Sequence, residues 1–476
     1  MNETLAQDLA RIVGQDAVLT DPVALATYDC DAYTIEKALP TVVVLPQTTE
    51  QVSELCQYAS RHTLPIVPRG AGTGLSGGAL AVNGGIVVCT SRMNRILWVD
   101  TRNRRLRAQA GVVNYQLTKA VQKENLHFAP DPSSQGACTI GGNVAENSGG
   151  PHTLKYGVTV NHITALQIVL PDGEVVEIGG DEDEPFGYDF VGLLVGSEGT
   201  LAFVTEATAR LTPLPQASAT LLAVFESLRD ASQTVSDIIA EGIIPAALEL
   251  MDALTLQAVE SAFRYGFPLD AEAVLLIELD GLEAELPAET EQVLAICGRN
   301  RAREVRRANT ARERAQLWSA RKKAIGALGR LAPSCVTQDG AIPRSKLPEV
   351  LAEAFQIARQ HGLQLANVFH AGDGNLHPVL LFDDSDPDQV ARVVSAGDAI
   401  LELCLRYGGS LTGEHGIGVE KCAVMHQMFS TADLDTMKRV KAVFNPDDRL
   451  NPEKIFPDTR YCYESKRRLR MGAVGL

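Results

Sequence analysis

The stretch Pro68-Arg-Gly-Ala-Gly-Thr-Gly-Leu-Ser-Gly-Gly78 lies between two short apolar runs, 64–68 and 85–90, and its reading decides the fold. Five glycines fall within the nine positions from Gly70 to Gly78, so the backbone can take positive φ repeatedly and turn several N–H groups toward one anion. That is the chemistry of a phosphate cradle. Gly72, Gly74 and Gly77 satisfy the spacing GxGxxG, but a Rossmann site requires a helix next. Here Ala79-Leu-Ala-Val-Asn-Gly-Gly85 leads straight to another apolar run. No lysine follows the glycines, which removes a Walker P-loop. Taken alone, the stretch could still be a purely structural turn.

Two further segments argue against a bare turn. Pro130-Asp-Pro-Ser-Ser134 is followed by Gly141-Gly-Asn-Val-Ala-Glu-Asn-Ser-Gly-Gly150, and Gly196-Ser-Glu-Gly-Thr200 precedes the run Leu201-Ala-Phe-Val-Thr-Glu-Ala207. Small residues let backbone approach a flat ligand closely, while Asn143, Asn147 and Ser148 can read ring or ribose edges. From Thr41 to about Pro215 the pattern is short β-rich runs broken by glycine, with Pro171-Asp172-Gly173 fixing a hairpin. Helices are expected at Thr49–His62, behind a threonine cap, and at 114–125.

In order and spacing, these segments resemble the vanillyl-alcohol oxidase (PCMH) type of FAD-binding domain over about Leu39 to Pro215. The resemblance implies that Arg69, Gly70, Ala71, Gly72, Thr73, Gly74, Leu75 and Ser76 hold the pyrophosphate. Pro130, Asp131, Ser134, Gly142, Asn143, Asn147, Ser148, Glu198 and Gly199 would then line ribose, adenine and flavin. Neither glycine loop offers a histidine where some relatives attach the flavin, so the FAD is expected to be non-covalent.

Beyond Pro213-Leu-Pro215 the character changes, with strands at 220–225 and 273–279 alternating with amphipathic segments at 227–240, 287–298 and 311–330. This reads as an α+β domain of ferredoxin-like halves. Further helices are expected at 346–361, 388–407 and 431–442. The fold class is therefore α+β in three parts: an FAD-binding domain (1–215), a substrate or cap domain (216–425), and a helical C-terminal segment (426–476) returning to the flavin domain.

Composition bounds the partners. The 476 residues are 45% hydrophobic with a formal net charge of −16, which disfavours nucleic acid and anionic membrane surfaces. The basic tail Lys466, Arg467, Arg468 and Arg470 reads as a solvated end. Nine scattered cysteines without a CxxC pair suggest neither a disulfide framework nor an iron–sulfur cluster within the chain. No signal peptide or membrane-spanning run is evident, so a cytoplasmic location is expected, peripheral to the inner membrane only through a partner.

The second strong signal is Val368-Phe-His370-Ala-Gly-Asp-Gly-Asn-Leu-His377, two imidazoles on either side of a glycine turn. Farther on, Gly408-Gly-Ser-Leu-Thr-Gly-Glu414-His415-Gly-Ile-Gly418 supplies an acid and another histidine. Two imidazoles and a carboxylate suit a divalent metal, zinc foremost, with positions left open for substrate. Polar loop histidines are the bland alternative. Calcium at Asp373-Gly-Asn375 lacks the spaced acids of an EF-hand.

With the first domain, this cluster is similar to that of the FAD-dependent D-2-hydroxy-acid dehydrogenases, which include glycolate oxidase flavin subunits, D-lactate dehydrogenases and D-2-hydroxyglutarate dehydrogenases. The likeness extends to Phe444-Asn-Pro-Asp-Asp-Arg-Leu-Asn451-Pro-Glu-Lys454, where Asn451 would return to the flavin. It implies metal ligands His370, His377 and Glu414, a base at His415 and a carboxylate anchor at Arg321, for which a surface arginine is the alternative. Val379 and Ile325 stand where the hydroxyglutarate enzymes carry polar residues, and the run from Ile342 to Leu347 is closer to the glycolate branch. The implied activity is oxidation of glycolate or D-lactate to the 2-oxo acid, with hydride transfer to flavin N5. Electrons would pass to an iron–sulfur or second flavin subunit. D-2-hydroxyglutarate oxidation, a non-catalytic flavin subunit and a metal hydrolase are the rivals.

Overall fold

The computed structural model describes residues 2–180 and 187–457, so the basic tail and Cys462 lie outside the described residues. The chain forms two compact units. One holds the residues up to Gly149, Gly157–Leu214 and the chain from Glu414; the other holds Gly150–Tyr156 and Pro215–Gly413. The return to the first unit thus comes at Glu414, ahead of the expected 426.

In the first unit, strands Val42–Val44, Ile86–Cys89 and Ile66–Arg69 run parallel, with Val18–Leu19 antiparallel at the edge. Their near-continuous burial explains why they read as unbroken apolar runs. The helix Thr49–His62 packs on this sheet through Val52, Leu55, Cys56 and Ala59. Thr48 caps it by accepting from Gln51 N, and Thr63 ends it in the left-handed region. A five-stranded antiparallel sheet follows in the order Ile96–Asp100, Arg105–Gln109, Phe203–Arg210, Ile163–Val169, Val175–Gly179. The Pro171–Gly173 turn joins its last two strands, as the sequence implied.

One glycine-rich segment differs from expectation. Ile140–Glu146 is a helix, capped by Thr139, whose hydroxyl accepts from Gly142 N at 3.2 Å, and ended by Asn147 at φ 54°. Gly141 is needed for packing, since a Cβ there would lie 2.7 Å from the Ala110 side chain. Its smallness serves helix-to-strand approach within the protein.

The second unit begins with strands Ala217–Phe225, Ala247–Asp252, Ala273–Gly281 and Glu304–Arg307 in the spatial order fourth, first, third, second. Helices Leu228–Ala240 and Leu286–Arg299 connect them as in a ferredoxin-like βαββαβ half. The sheet then continues from Ala247–Asp252 into Gln364–His370, which folds back through a hairpin onto Pro378–Phe382. Helices Ala253–Phe263 and Ala311–Leu328 close the core on Val259, Ala324, Val368 and Val379.

Gly150–Tyr156 is held by two acids of the strand Ala273–Gly281. Asp280 takes the Lys155 ammonium and, at 2.6 Å, the Tyr156 hydroxyl. Glu278, 1% exposed, accepts from Arg314 through Nε at 3.0 Å and Nη2 at 2.5 Å, from Thr220 Oγ1 at 2.9 Å and from the Trp318 indole. His152 stacks on Trp318 with ring centroids 5.3 Å apart and places Nε2 3.6 Å from Glu278. Among the described cysteines, Cys422 is disulfide-bonded, which the sequence reading did not expect, and the others are free thiols.

Candidate active site

The glycine loop leaves the parallel sheet directly at Arg69, the last residue of the strand Ile66–Arg69. Gly72 sits at φ 69°, and a Cβ there would run into the Arg69 guanidinium. Arg69 is 7% exposed, lies 5.3 Å over the Tyr28 ring, and keeps Nη1 buried without a hydrogen bond. Ser76 Oγ and Asn451 Oδ1 are likewise buried and unbonded. Buried polar atoms are normally paired, so this set, two on the loop and one on a segment bonded to it, fits a ligand with its own donors and acceptors. The donor set suits the pyrophosphate and ribityl groups of FAD.

Other parts of the first unit brace that loop. Asn451 Nδ2 donates to Gly78 O at 2.9 Å and to Glu198 O at 2.7 Å, tying the glycine loop to the 196–200 turn. Glu198 accepts from Ile417 N and Gly418 N, both at 2.7 Å, and Lys454 Nζ donates to Leu80 O at 2.8 Å. Of the predicted cofactor residues, Asn143 is fully buried with Oδ1 accepting from Asn114, and Asn147 Oδ1 accepts from Val160 N. Those two oxygens order the segment itself.

Charge in this cradle is crowded. Burial pushes the Asp31 carboxyl up to about 6, against the pull of the Tyr33 and Ala79 amides, Arg69 and Lys454. Burial, then the neighbouring Glu198 and Asp31, holds Glu146 well above the usual carboxylate range. Lys454 is lowered to about 8 by burial, with Asp31 and Glu198 opposing. Asp31, Glu146 and Glu198 were not read from sequence as one group, because they come from separate segments.

In the second unit, the hairpin brings two histidines together. His370 ends the strand Gln364–His370, the chain turns through Gly374 at φ 78°, and His377 precedes the returning strand Pro378–Phe382. Both are 4% exposed, with ring centroids 5.1 Å apart and nearly perpendicular rings. Glu249 lies directly across from His370 in the antiparallel ladder and takes its Nδ1 at 2.7 Å. The other Glu249 oxygen lies 2.6 Å from Arg321 Nε, an ion-pair contact rather than an aligned hydrogen bond. Arg321 is 2% exposed on the same helix face as Trp318, Ala324 and Leu328, which overturns the surface-arginine alternative. Asp339, fully buried, lies 3.6 Å from His377 Nε2 and accepts from the Thr412 hydroxyl and from Gly413 N at 3.1 Å.

Glu414 follows Gly413 directly and, with His415, is half-buried at the start of the returning segment of the first unit. Sequence reading missed Glu249 and Asp339. For Glu249 a signal existed: a lone acid inside the apolar run Ala246-Ala-Leu-Glu-Leu-Met251. Val379, offered as a specificity position, is fully buried in the core with Ala366 and Leu381, and Ile325 packs against that same core.

A βαββαβ unit with a buried histidine pair, in one chain with a glycine-loop unit, is the make-up of a flavin-linked oxidoreductase. Residues 214–455 match the C-terminal domain of FAD linked oxidases and residues 40–179 match an FAD binding domain. The chain belongs to the FAD-linked oxidase family.

Among its relatives, the glycolate oxidase subunit GlcD of Escherichia coli (strain K12) is 45% identical over 95% of this chain and 91% of its own length. The D-lactate dehydrogenase of Anaerostipes hadrus is 33% identical, covering 90% of each chain. The fold is similar to that of the 4-ethylphenol oxidase from Gulosibacter chungangensis, with a TM-score of 0.79 at 17% identity, over 96% of this chain and 98% of that one. Among the described residues, no helix is long and apolar enough to cross a membrane.

Proposed function

We propose that this protein oxidises a small 2-hydroxy acid, glycolate first and D-lactate second, to the corresponding 2-oxo acid. The observation that carries the reading is the enclosed group of His370, His377, Glu249 and Arg321, in a chain whose relatives are named for glycolate and D-lactate. FAD, which the Arg69–Ser76 loop with Asn451 beside it would hold, would supply the acceptor for the hydride leaving C2. His370, His377 and Glu414 would hold a divalent cation, zinc by the donor set, which supplies Lewis acidity at the hydroxyl oxygen.

The protein's own groups then have distinct tasks. Arg321, with Nε taken by Glu249, presents its terminal amino groups to the substrate carboxylate as a fork. His415 accepts the hydroxyl proton as the carbonyl forms. The enclosure of the histidine pair limits water at the reacting carbon. That the Escherichia coli relative is a glycolate oxidase subunit supports a partner that takes the electrons onward, an iron–sulfur or second flavin protein. The proposed setting is cytoplasmic, with any membrane association through that partner.

Anaerobic bleaching of the flavin absorbance with glycolate, D-lactate, L-lactate and D-2-hydroxyglutarate tests cofactor, substrate and stereochemistry together. Rapid bleaching by glycolate or D-lactate is expected. Preferential bleaching by D-2-hydroxyglutarate would overturn the substrate assignment, and a colourless protein that takes up no added FAD would overturn the flavin reading.

A further inference from the structure

We propose that Glu249 is a positioning residue that orients His370 and Arg321 simultaneously, so that one buried carboxylate sets both the metal site and the carboxylate anchor. The inference rests on the roles given above to those two residues. Glu249 is fully enclosed on the strand Ala247–Asp252, opposite His370 in the ladder. Its Oε1 meets His370 Nδ1 at 2.7 Å and its Oε2 meets Arg321 Nε at 2.6 Å. Each oxygen therefore serves a different group, and no other ion pair of Arg321 forms among the described residues.

Two consequences follow from the chemistry of an ionised carboxylate. A carboxylate only accepts, so the proton of His370 sits on Nδ1, and a metal bound by this ring takes Nε2. Arg321 is held beside Glu249 by an ion-pair contact at Nε, which fixes where the guanidinium lies and leaves the two terminal nitrogens to receive a second carboxylate. Glu249 also neutralises Arg321, so an arriving anion meets an ion pair instead of a bare buried cation.

A glutamine at this position keeps the shape and removes the charge. Its single carbonyl oxygen can accept from only one of the two donors, and the amide NH2 faces the other. If the amide faces the imidazole, Nδ1 must become an acceptor and Nε2 carries the proton, a tautomer that cannot ligate a metal through Nε2. If it faces Arg321, the ion-pair contact is lost and the guanidinium is no longer held at that place. Loss of such an outer partner typically weakens metal binding about 10- to 100-fold.

The test uses the flavin-loaded full chain, with Glu249→Gln and Glu249→Asp beside the unaltered protein. Long-range 1H–15N correlation on 15N-histidine-labelled, metal-free protein, with His370→Gln for assignment, reads the tautomer. Competition with a chromogenic chelator reads the affinity for Zn2+, and steady-state turnover separates KM from kcat. Expected are an Nδ1–H tautomer in the unaltered protein and a roughly 10- to 100-fold loss of Zn2+ affinity in E249Q. E249Q should also show a larger loss in kcat than rise in KM, because Arg321 keeps its charge. E249D keeps the charge on a shorter stem that cannot reach both groups and should lose less Zn2+ affinity than E249Q; should E249Q fail to fold, the Zn2+ affinity of E249D decides, and a value equal to the unaltered protein's overturns the proposal. An Nε2–H tautomer in the unaltered protein, or an unchanged tautomer and Zn2+ affinity in E249Q, overturns it too. Failure of the unaltered protein to bind Zn2+ would instead remove the metal reading, and the tautomer would still decide the role of Glu249.

Discussion

Replacing Glu278 by glutamine should destabilise the second unit by about 1.5 to 3 kcal/mol, the range for losing hydrogen bonds to a buried charged group whose ionic partner, Arg314, is half exposed. The side chain is 1% exposed and accepts from Arg314 twice, from Thr220 and from the Trp318 indole, with His152 alongside. Glutamine turns one oxygen into a donor and sets it against donors. Taking a urea m-value of ~2 kcal/mol/M, the unfolding midpoint should fall by roughly 0.8 to 1.5 M. Trp98 and Trp318 are the two tryptophans of the chain, so in a Trp98→Phe background Trp318 fluorescence reports this unit directly.

The pH dependence sharpens the case. Burial alone would raise the Glu278 carboxyl, but the hydrogen bonds from His152, Arg314 and Trp318 outweigh it and hold the group well below its usual 4.5. A depressed folded value means the stabilisation is present above 4.5 and is lost as pH falls through the folded value. The glutamine penalty should therefore be flat from pH 8 to pH 5 and shrink only in stronger acid. A penalty under 1 kcal/mol at pH 7, or one already gone by pH 5, would refute the reasoning.

Three further outcomes are expected. Asn451→Ala removes two hydrogen bonds that tie Gly78 to Glu198, at about 0.5 to 1.5 kcal/mol each, and should weaken FAD binding roughly 5- to 100-fold in a fluorescence titration; unchanged affinity would deny Asn451 its bracing role. Asp31→Asn should stabilise the apoprotein. The raised carboxyl, at about 6 against 3.8, confers its full stability below 3.8 and loses it as pH rises through 6. The gain of about 3 kcal/mol should thus appear in denaturant midpoints at pH 8 and vanish by pH 4. His415→Ala should slow substrate-driven flavin bleaching by about 10²- to 10⁴-fold with FAD still bound, and normal turnover in that variant would remove the proposed base.

Much of this was legible in the sequence wherever local chemistry dictates shape. The loop at 68–78 announced itself because repeated positive φ needs glycine, and the strands at 42–44, 66–69 and 86–89 because burial on both faces leaves only apolar residues. The helix at 140–146 was hidden by glycines that look like loop chemistry, although Gly141 is there to let the helix meet Ala110. Glu249 was hidden for a different reason. Its meaning depends on a cross-strand partner far along the chain, and neither periodicity nor spacing encodes which strand lies beside Ala247–Asp252. Val379 carried a specificity argument by position, but only the fold reveals that its side chain belongs to the core.

The short stretch from Gly150 to Tyr156 makes the second unit discontinuous in sequence. Its His152, Lys155 and Tyr156 face Glu278 and Asp280, so a fragment cut at 215–413 would retain both acids and lose some of their partners. No single continuous stretch therefore encodes the whole second unit. Recombination at a single crossover near residue 215 would pair a new set of acids with an old set of donors, and functional exchange between relatives must move two separate segments or preserve that seam.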